Sequence, residues 1–154
     1  MINYIWLRDE TKVDELVDLF LNNTTEEYIT HIEIQEGRAD EDGTWSANLR
    51  DTLKHQFYVA IKKSNILVAI DINTDVILGF VSVLYNEDNT ITVEDIVSTQ
   101  KGIGTKLLNV VEENVRGYEY KMIIGDVGPN NERAKRFMEA NGYTAKTIVY
   151  TKNI

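Results

Sequence analysis

The chain has 154 residues, 43% of them apolar and 27% charged, a composition of globular domains rather than of disordered or fibrous chains. It contains no cysteine, which excludes a disulfide framework, a thiolate metal site and a cysteine nucleophile. A net charge of −9 speaks against general binding to nucleic acid or anionic membrane, which needs clustered Lys and Arg, and suits a cationic partner such as an amine, a polyamine or a Lys-rich peptide.

Residues 1–8 are too short and too polar for a signal peptide, and the longest apolar runs, 66–70 and 76–84, fall far short of the roughly 20 residues of a membrane span. The expectation is a soluble, cytoplasmic protein forming a single domain over residues 1–154. In chain order, residues 3–7 read as a short first strand. Val13, Leu16, Val17 and Phe20 then recur at i, i+3, i+4, i+7, the spacing of one helix face over residues 12–22. Thr24 or Thr25 can cap a second helix to about residue 34. Residues 36–43 are acidic and rich in turn formers, hence a loop. From Thr44 the apolar residues Trp45, Leu49, Leu53, Phe57 and Ile61 follow helical spacing to about residue 63, although residues 57–61 alone are equally compatible with a strand.

Residues 66–71 and 76–84 predict a hairpin about the Asn73-Thr74-Asp75 turn, and residues 90–97 a further strand. Leu107, Leu108, Val111 and Val115 mark an amphipathic helix, residues 121–127 a strand, and residues 130–141 a helix closed by Gly142. Residues 146–151 predict a closing strand. Pro129 lies just ahead of the last helix, where proline is tolerated. This order describes a mixed α/β (α+β) layered domain.

The most informative segment joins the strand at 90–97 to the helix after it through Ser98-Thr99-Gln100-Lys101-Gly102-Ile103-Gly104-Thr105. Glycines at a strand-to-helix turn let the backbone approach a ligand closely. The free N–H groups and the positive end of the helix dipole favour an anion there, above all a phosphate or pyrophosphate. A tight turn alone would use the same glycines. The segment is neither a Walker loop, lacking Gly-Lys-Ser/Thr at the required spacing, nor a dinucleotide fingerprint, lacking the third glycine.

Gly102-Ile103-Gly104-Thr105-Lys106-Leu107-Leu108 resembles the pyrophosphate loop and helix start of the GNAT N-acetyltransferases. Asn131, Ala134, Phe137 and Asn141-Gly142-Tyr143 are similar to that family's last helix, and residues 66–81 to its central hairpin. The resemblance covers residues 66–150 well and the N-terminal third in outline. It implies a mostly antiparallel sheet with one splayed parallel pair, and acetyl-CoA in the opening as cosubstrate, without a metal.

The resemblance further implies that backbone groups of Ile96, Val97 and Ser98 bind the pantetheine arm. Gln100, Lys101, Gly102, Ile103, Gly104 and Thr105 would hold the pyrophosphate, and Asn131 and Ala134 would border the cofactor from the last helix. Asn131 also suits a helix cap. The implied reaction is direct transfer of an acetyl group to an amine of a small molecule or peptide, and a homodimer is a common assembly in the family.

Direct transfer needs a base for the ammonium, a donor for the carbonyl oxygen and an acid for the sulfur. Glu94 and Asp95 lie on the strand that borders the cofactor in the family. Strand alternation sends them to opposite faces, and Glu94 resembles the position of the family's base. A backbone N–H near Val97 would polarise the carbonyl.

The chain departs from the family at two points. Met138 stands where the family often has a proton-donating Tyr, with Tyr143 and Tyr150 nearby, and Thr99 stands where the loop usually begins with Gln or Arg. The first departure keeps a second reading open, an acyl-CoA-binding or sensing module with weak or no transfer. His31 and His55 have no metal-ligand spacing, and Tyr28, His31 and Trp45 fall where this fold commonly forms its acceptor wall.

Overall fold

A computed structural model describes all residues, 1–154. Five strands form one sheet in the order β1-β2-β3-β4-β5: β1 (Ile2–Trp6), β2 (Ile66–Asp71), β3 (Val76–Tyr85), β4 (Thr90–Ser98) and β5 (Met122–Gly125). The first four pair antiparallel, and β5 lies parallel to β4. The expected α/β layered architecture with one parallel pair is therefore observed.

Each sheet face carries its own core. On one face, α1 (Val13–Asn23) and α3 (Leu49–Lys62) pack Leu16, Val17, Phe20, Leu53, Phe57 and Ile61 against Val68, Phe80 and Val97. On the other, α4 (Ile103–Val115) packs Ile103, Leu107, Leu108 and Val111 against Leu67, Ala69, Val81, Ile91 and Val93, with Phe137 and Met138 of α5 (Glu132–Ala140) at its margin. Along β4 burial alternates only from Ile91 onward, and Ile91 and Val93 join the second core whereas Val97 joins the first.

Three expectations need correction. The predicted second helix is broken into a 3₁₀ turn, Glu26–Tyr28, and the short α2, His31–Gln35. Thr25 and Thr30 each accept a backbone N–H two residues on, so two caps start two separate turns where the periodicity suggested one helix. The third helix begins at Leu49, after Asn48, rather than at Thr44, because Trp45 bridges Ala39 in an isolated antiparallel pair. Residues 57–61 are helical, not strand. The predicted closing strand at 146–151 does not form. Ile148, Val149 and Tyr150 are exposed, and a strand-like sequence gains little without a paired edge. No helix is long and apolar enough to cross a membrane.

Candidate active site

The ladder between β4 and β5 ends at Val93↔Gly125, while β4 continues to Ser98. From that point the two parallel strands part. The N–H of Thr99 donates to the Leu78 carbonyl at 2.9 Å. By the alternation of an antiparallel ladder, Val97 and Asp95 then bond to β3, and Ile96 and Ser98 turn their N–H and C=O groups toward the opening. Of the three residues expected to offer backbone groups there, Ile96 and Ser98 are so directed. Val97 is bonded within the sheet, and its side chain is buried in the core.

The turn after β4 meets α4 at Gly102, whose φ of 90° is the left-handed region that favours glycine. No side chain caps α4. The N–H groups of Gln100, Lys101, Gly102, Gly104 and Thr105 have no acceptor within the protein; only that of Ile103 reaches back, to the Gln100 carbonyl at 3.4 Å. Gly104 is small for a second reason, since a Cβ there would lie 3.0 Å from the Phe137 ring. The tip of Phe137 thus covers the first turn of α4. Asn131 caps α5, its Oδ1 accepting from the Ala134 N–H at 3.1 Å, which leaves its amide group without a partner in the protein. Met138 sits against Gly125, where the strands part.

On the opposite side of β4 the side chains do something the periodicity does not foretell. Ser82 faces Asp95 and Val83 faces Val93, so Glu94 is one extra residue in β4, a β-bulge. The bulge suspends alternation, and the expectation that Glu94 and Asp95 lie on opposite faces fails. Both reach the charged cluster beside α2. Asp95, 1% exposed, receives Nη1 and Nη2 of Arg38 at 2.7 and 3.1 Å, the Tyr28 hydroxyl at 2.8 Å and the Ser82 hydroxyl at 2.8 Å. Burial works against the Asp95 charge, but Arg38 and these hydrogen bonds hold its carboxyl below the usual range. Arg38, 2% exposed, also donates Nε to Gln56 Oε1 at 2.6 Å.

Two carboxyls near this pair behave differently. Burial and the Asp95 charge push Glu33, 7% exposed, up to about 7. Burial and the neighbouring Glu36 carboxyl push Glu94 up to about 8. Both are poised to exchange protons near neutral pH, as acid–base groups in catalytic sites are. The sequence reading missed Arg38, Glu33 and Glu36. Their only signal was an Arg within an otherwise acidic stretch, and nothing in one dimension ties it to β4.

The other candidates are placed as follows. Tyr28 packs edge-on to Phe20 at 5.3 Å and lies 6.2 Å from Trp45, so the two aromatics form a wall beside the Asp95 corner. His31 is half-buried at the start of α2, and His55 is exposed on α3. The Tyr143 hydroxyl donates to Glu112 of α4 at 3.2 Å, and Tyr150 is exposed. No group of three or more His, Asp or Glu is arranged to hold a metal ion.

A family model, "Acetyltransferase (GNAT) family", matches residues 15–143. The chain belongs to the GNAT acetyltransferase family. No curated protein matches it by sequence. Among solved structures, the PaiA N-acetyltransferase of Thermoplasma acidophilum in complex with coenzyme A is 16% identical, with 95% of this chain and 91% of that one covered at a TM-score of 0.63. The aminoglycoside antibiotic 6'-N-acetyltransferase AAC(6')-Ih of Acinetobacter baumannii is 16% identical over 100% of this chain and 99% of that one, also at 0.63. A GNAT-family acetyltransferase of Staphylococcus aureus Mu50 is 19% identical over 92% and 84%, at 0.64. At these identities the likeness is one of fold. It places the parting strands and the glycine turn of this GNAT chain within an architecture shared along its length.

Proposed function

We propose that this GNAT chain transfers an acetyl group from acetyl-CoA to an amine of a small molecule or peptide, by direct attack within the opening between β4 and β5. One observation carries the reading. The free β4 edge runs directly into a glycine turn whose five unpaired N–H groups crown the N-terminus of a thirteen-residue helix. An amide-bearing arm that ends in a pyrophosphate is the ligand such a track suits.

The residues divide the work as follows. Ile96 and Ser98 offer backbone partners to the pantetheine amides. The N–H groups of Gln100, Lys101, Gly102, Gly104 and Thr105 receive the pyrophosphate, with the Lys101 charge beside them and Ile103 anchoring the turn to the core. The free amide of Asn131 and the small Ala134 border the cofactor from α5. Acetyl-CoA supplies a thioester, whose carbonyl carbon accepts the amine while the carbon–sulfur bond breaks.

Glu94, next to the point where the strands part, takes the proton that the attacking ammonium must lose. The N–H of Ile96, aimed into the opening, takes the polarising role expected near Val97. Met138 cannot donate a proton, and Tyr143 is engaged with Glu112, so solvent protonates the departing thiolate. The acceptor enters past the Tyr28–Trp45 wall. A cation suits that side, where four carboxyls face the single cation Arg38 and two of them, Glu33 and Glu94, gain their charge as pH rises through about 7 and 8.

The second reading, a module that binds acyl-CoA with little transfer, is favoured by Met138 alone. A thiol-release assay with acetyl-CoA and a panel of amines separates the two. Acceptor-dependent thiol release supports the transferase. CoA binding without release across mono-, di- and polyamines, amino acids and peptides supports the module.

A further inference from the structure

Strands β4 and β5 part beyond Val93 and Gly125, and one short segment reaches both sides of the gap. It is the 3₁₀ turn Glu26–Tyr28 with Ile29 behind it. Toward β4, the Tyr28 hydroxyl donates to Asp95 Oδ1 at 2.8 Å, with the Glu94 carbonyl oxygen 3.3 Å away. Toward β5, the backbone of Glu27 and Ile29 meets Gly128, in the loop that leaves the strand.

Gly128 is buried. A Cβ there would overlap the Glu27 carbonyl oxygen and lie 3.3 Å from that of Ile29. Its φ is outside the left-handed region, so close approach, not backbone conformation, is what calls for glycine. The obstacle is backbone, and no side chain can swing aside to admit a methyl group. The Gly128 carbonyl in turn accepts the Asn131 N–H at 3.0 Å, which ties this contact to the start of α5. The turn thus spans the gap as a clasp, with one end on each strand. Met138 lies on the other side of the sheet, where a Cβ on Gly125 would stand 3.0 Å from its Cε. Tyr28 packs with the first core and Met138 with the second, so the opening is bounded on both faces where the strands part.

We propose that Tyr28 and Gly128 select the acyl donor: they clasp the parted strands, and the space between the clasp and Met138 takes an acetyl group but not a hexanoyl group. This inference rests on acyl-CoA lying in the opening. A longer chain has to lift the turn from Gly128 or break the Tyr28 bond to Asp95, and each further methylene adds to that cost.

Calorimetric titration with CoA, acetyl-CoA and hexanoyl-CoA reads the selection without an acceptor. The parent should bind acetyl-CoA about tenfold or more tightly than hexanoyl-CoA. Gly128→Ala pushes the turn away from β5, and Tyr28→Phe frees it from β4. Each should shrink that ratio to about threefold or less, with CoA affinity within about twofold of the parent. A merely structural role would lower the Tm and weaken all three ligands alike, leaving the ratio where it was. That result overturns the proposal, and so does a parent that binds hexanoyl-CoA as well as acetyl-CoA. The double variant should relax selection no further than the stronger single, because both changes open one clasp; additive effects mean separate roles and also overturn it. Where Gly128→Ala does not fold, the near-isosteric Tyr28→Phe decides by the same ratio. A parent that binds none of the three ligands removes acyl-CoA from the opening and the clasp's role with it, whereas binding without selection removes the clasp alone.

Discussion

The two ends of the candidate site are made of different material. The α4 end is backbone: a left-handed glycine, five unpaired N–H groups and a strand edge within a dozen consecutive residues. The β4 bulge end is side chains: Tyr28, Glu33, Glu36 and Arg38 from one stretch, Gln56 from α3, Ser82 from β3, and Glu94 and Asp95 from β4. On the proposed reading, the first end would bind a ligand part that does not change during reaction, and the second would handle protons. A backbone site survives most changes of side chain, whereas a side-chain site can be retuned by single substitutions. That difference gives each end its own mode of failure.

The largest effect is expected at the bulge end. Glu94→Gln should lower kcat at neutral pH by about a hundredfold or more, the scale of a lost general base, while CoA affinity stays within about twofold of the parent. The parent rate should climb as pH rises toward 8, where Glu94 loses its proton, and the variant should lose that limb. Steady-state kinetics from pH 6 to 9 check this, and an unchanged limb removes Glu94 as base.

At the α4 end, Gly104→Asp should weaken CoA binding by about tenfold or more, because it sets a negative charge among N–H groups that favour an anion. Its Cβ would also press on Phe137, 3.0 Å away. The double variant Gly104→Asp with Phe137→Leu relieves that contact. Affinity that stays low in the double variant assigns the loss to charge, and affinity that returns assigns it to crowding.

The smallest effect concerns stability. Glu33 and Glu94 have folded pKa values near 7 and 8 against an ordinary 4.5, so between those values the folded state holds more protons than the unfolded one. Stability from these two groups is present below about pH 4.5 and is lost as pH rises through 7 and 8. Between pH 5.5 and 8.5 the Tm should therefore fall, and the double variant Glu33→Gln with Glu94→Gln should flatten the slope. Differential scanning fluorimetry across buffers reads this directly.

Legibility in the sequence divides along the same line. The hairpin of β2 and β3, helix α4 with its amphipathic stripe and the glycine turn were readable because each rests on local periodicity or on glycine at a fixed offset. So was the cap role open to Asn131, which its contact with Ala134 fulfils. The fold of the second half followed from these. The side-chain corner was not readable. One inserted residue at Glu94 reversed the assignment of faces, and a bulge has no sequence mark of its own. Arg38 meets Asp95 across 57 residues, a pairing that only the tertiary fold can specify. The unformed strand at 146–151 teaches the converse: Ile148, Val149 and Tyr150 carry strand propensity, but propensity without a partner edge leaves them exposed.

The most direct test of the central claim is a calorimetric titration of the protein with acetyl-CoA and with CoA, set beside the same titration of Gly104→Asp. The account predicts saturable binding of both ligands by the parent and a marked loss in the variant. No binding by the parent, or equal binding by the variant, would mean that the free N–H groups of the α4 turn serve no pyrophosphate and that the opening beside β4 holds something else.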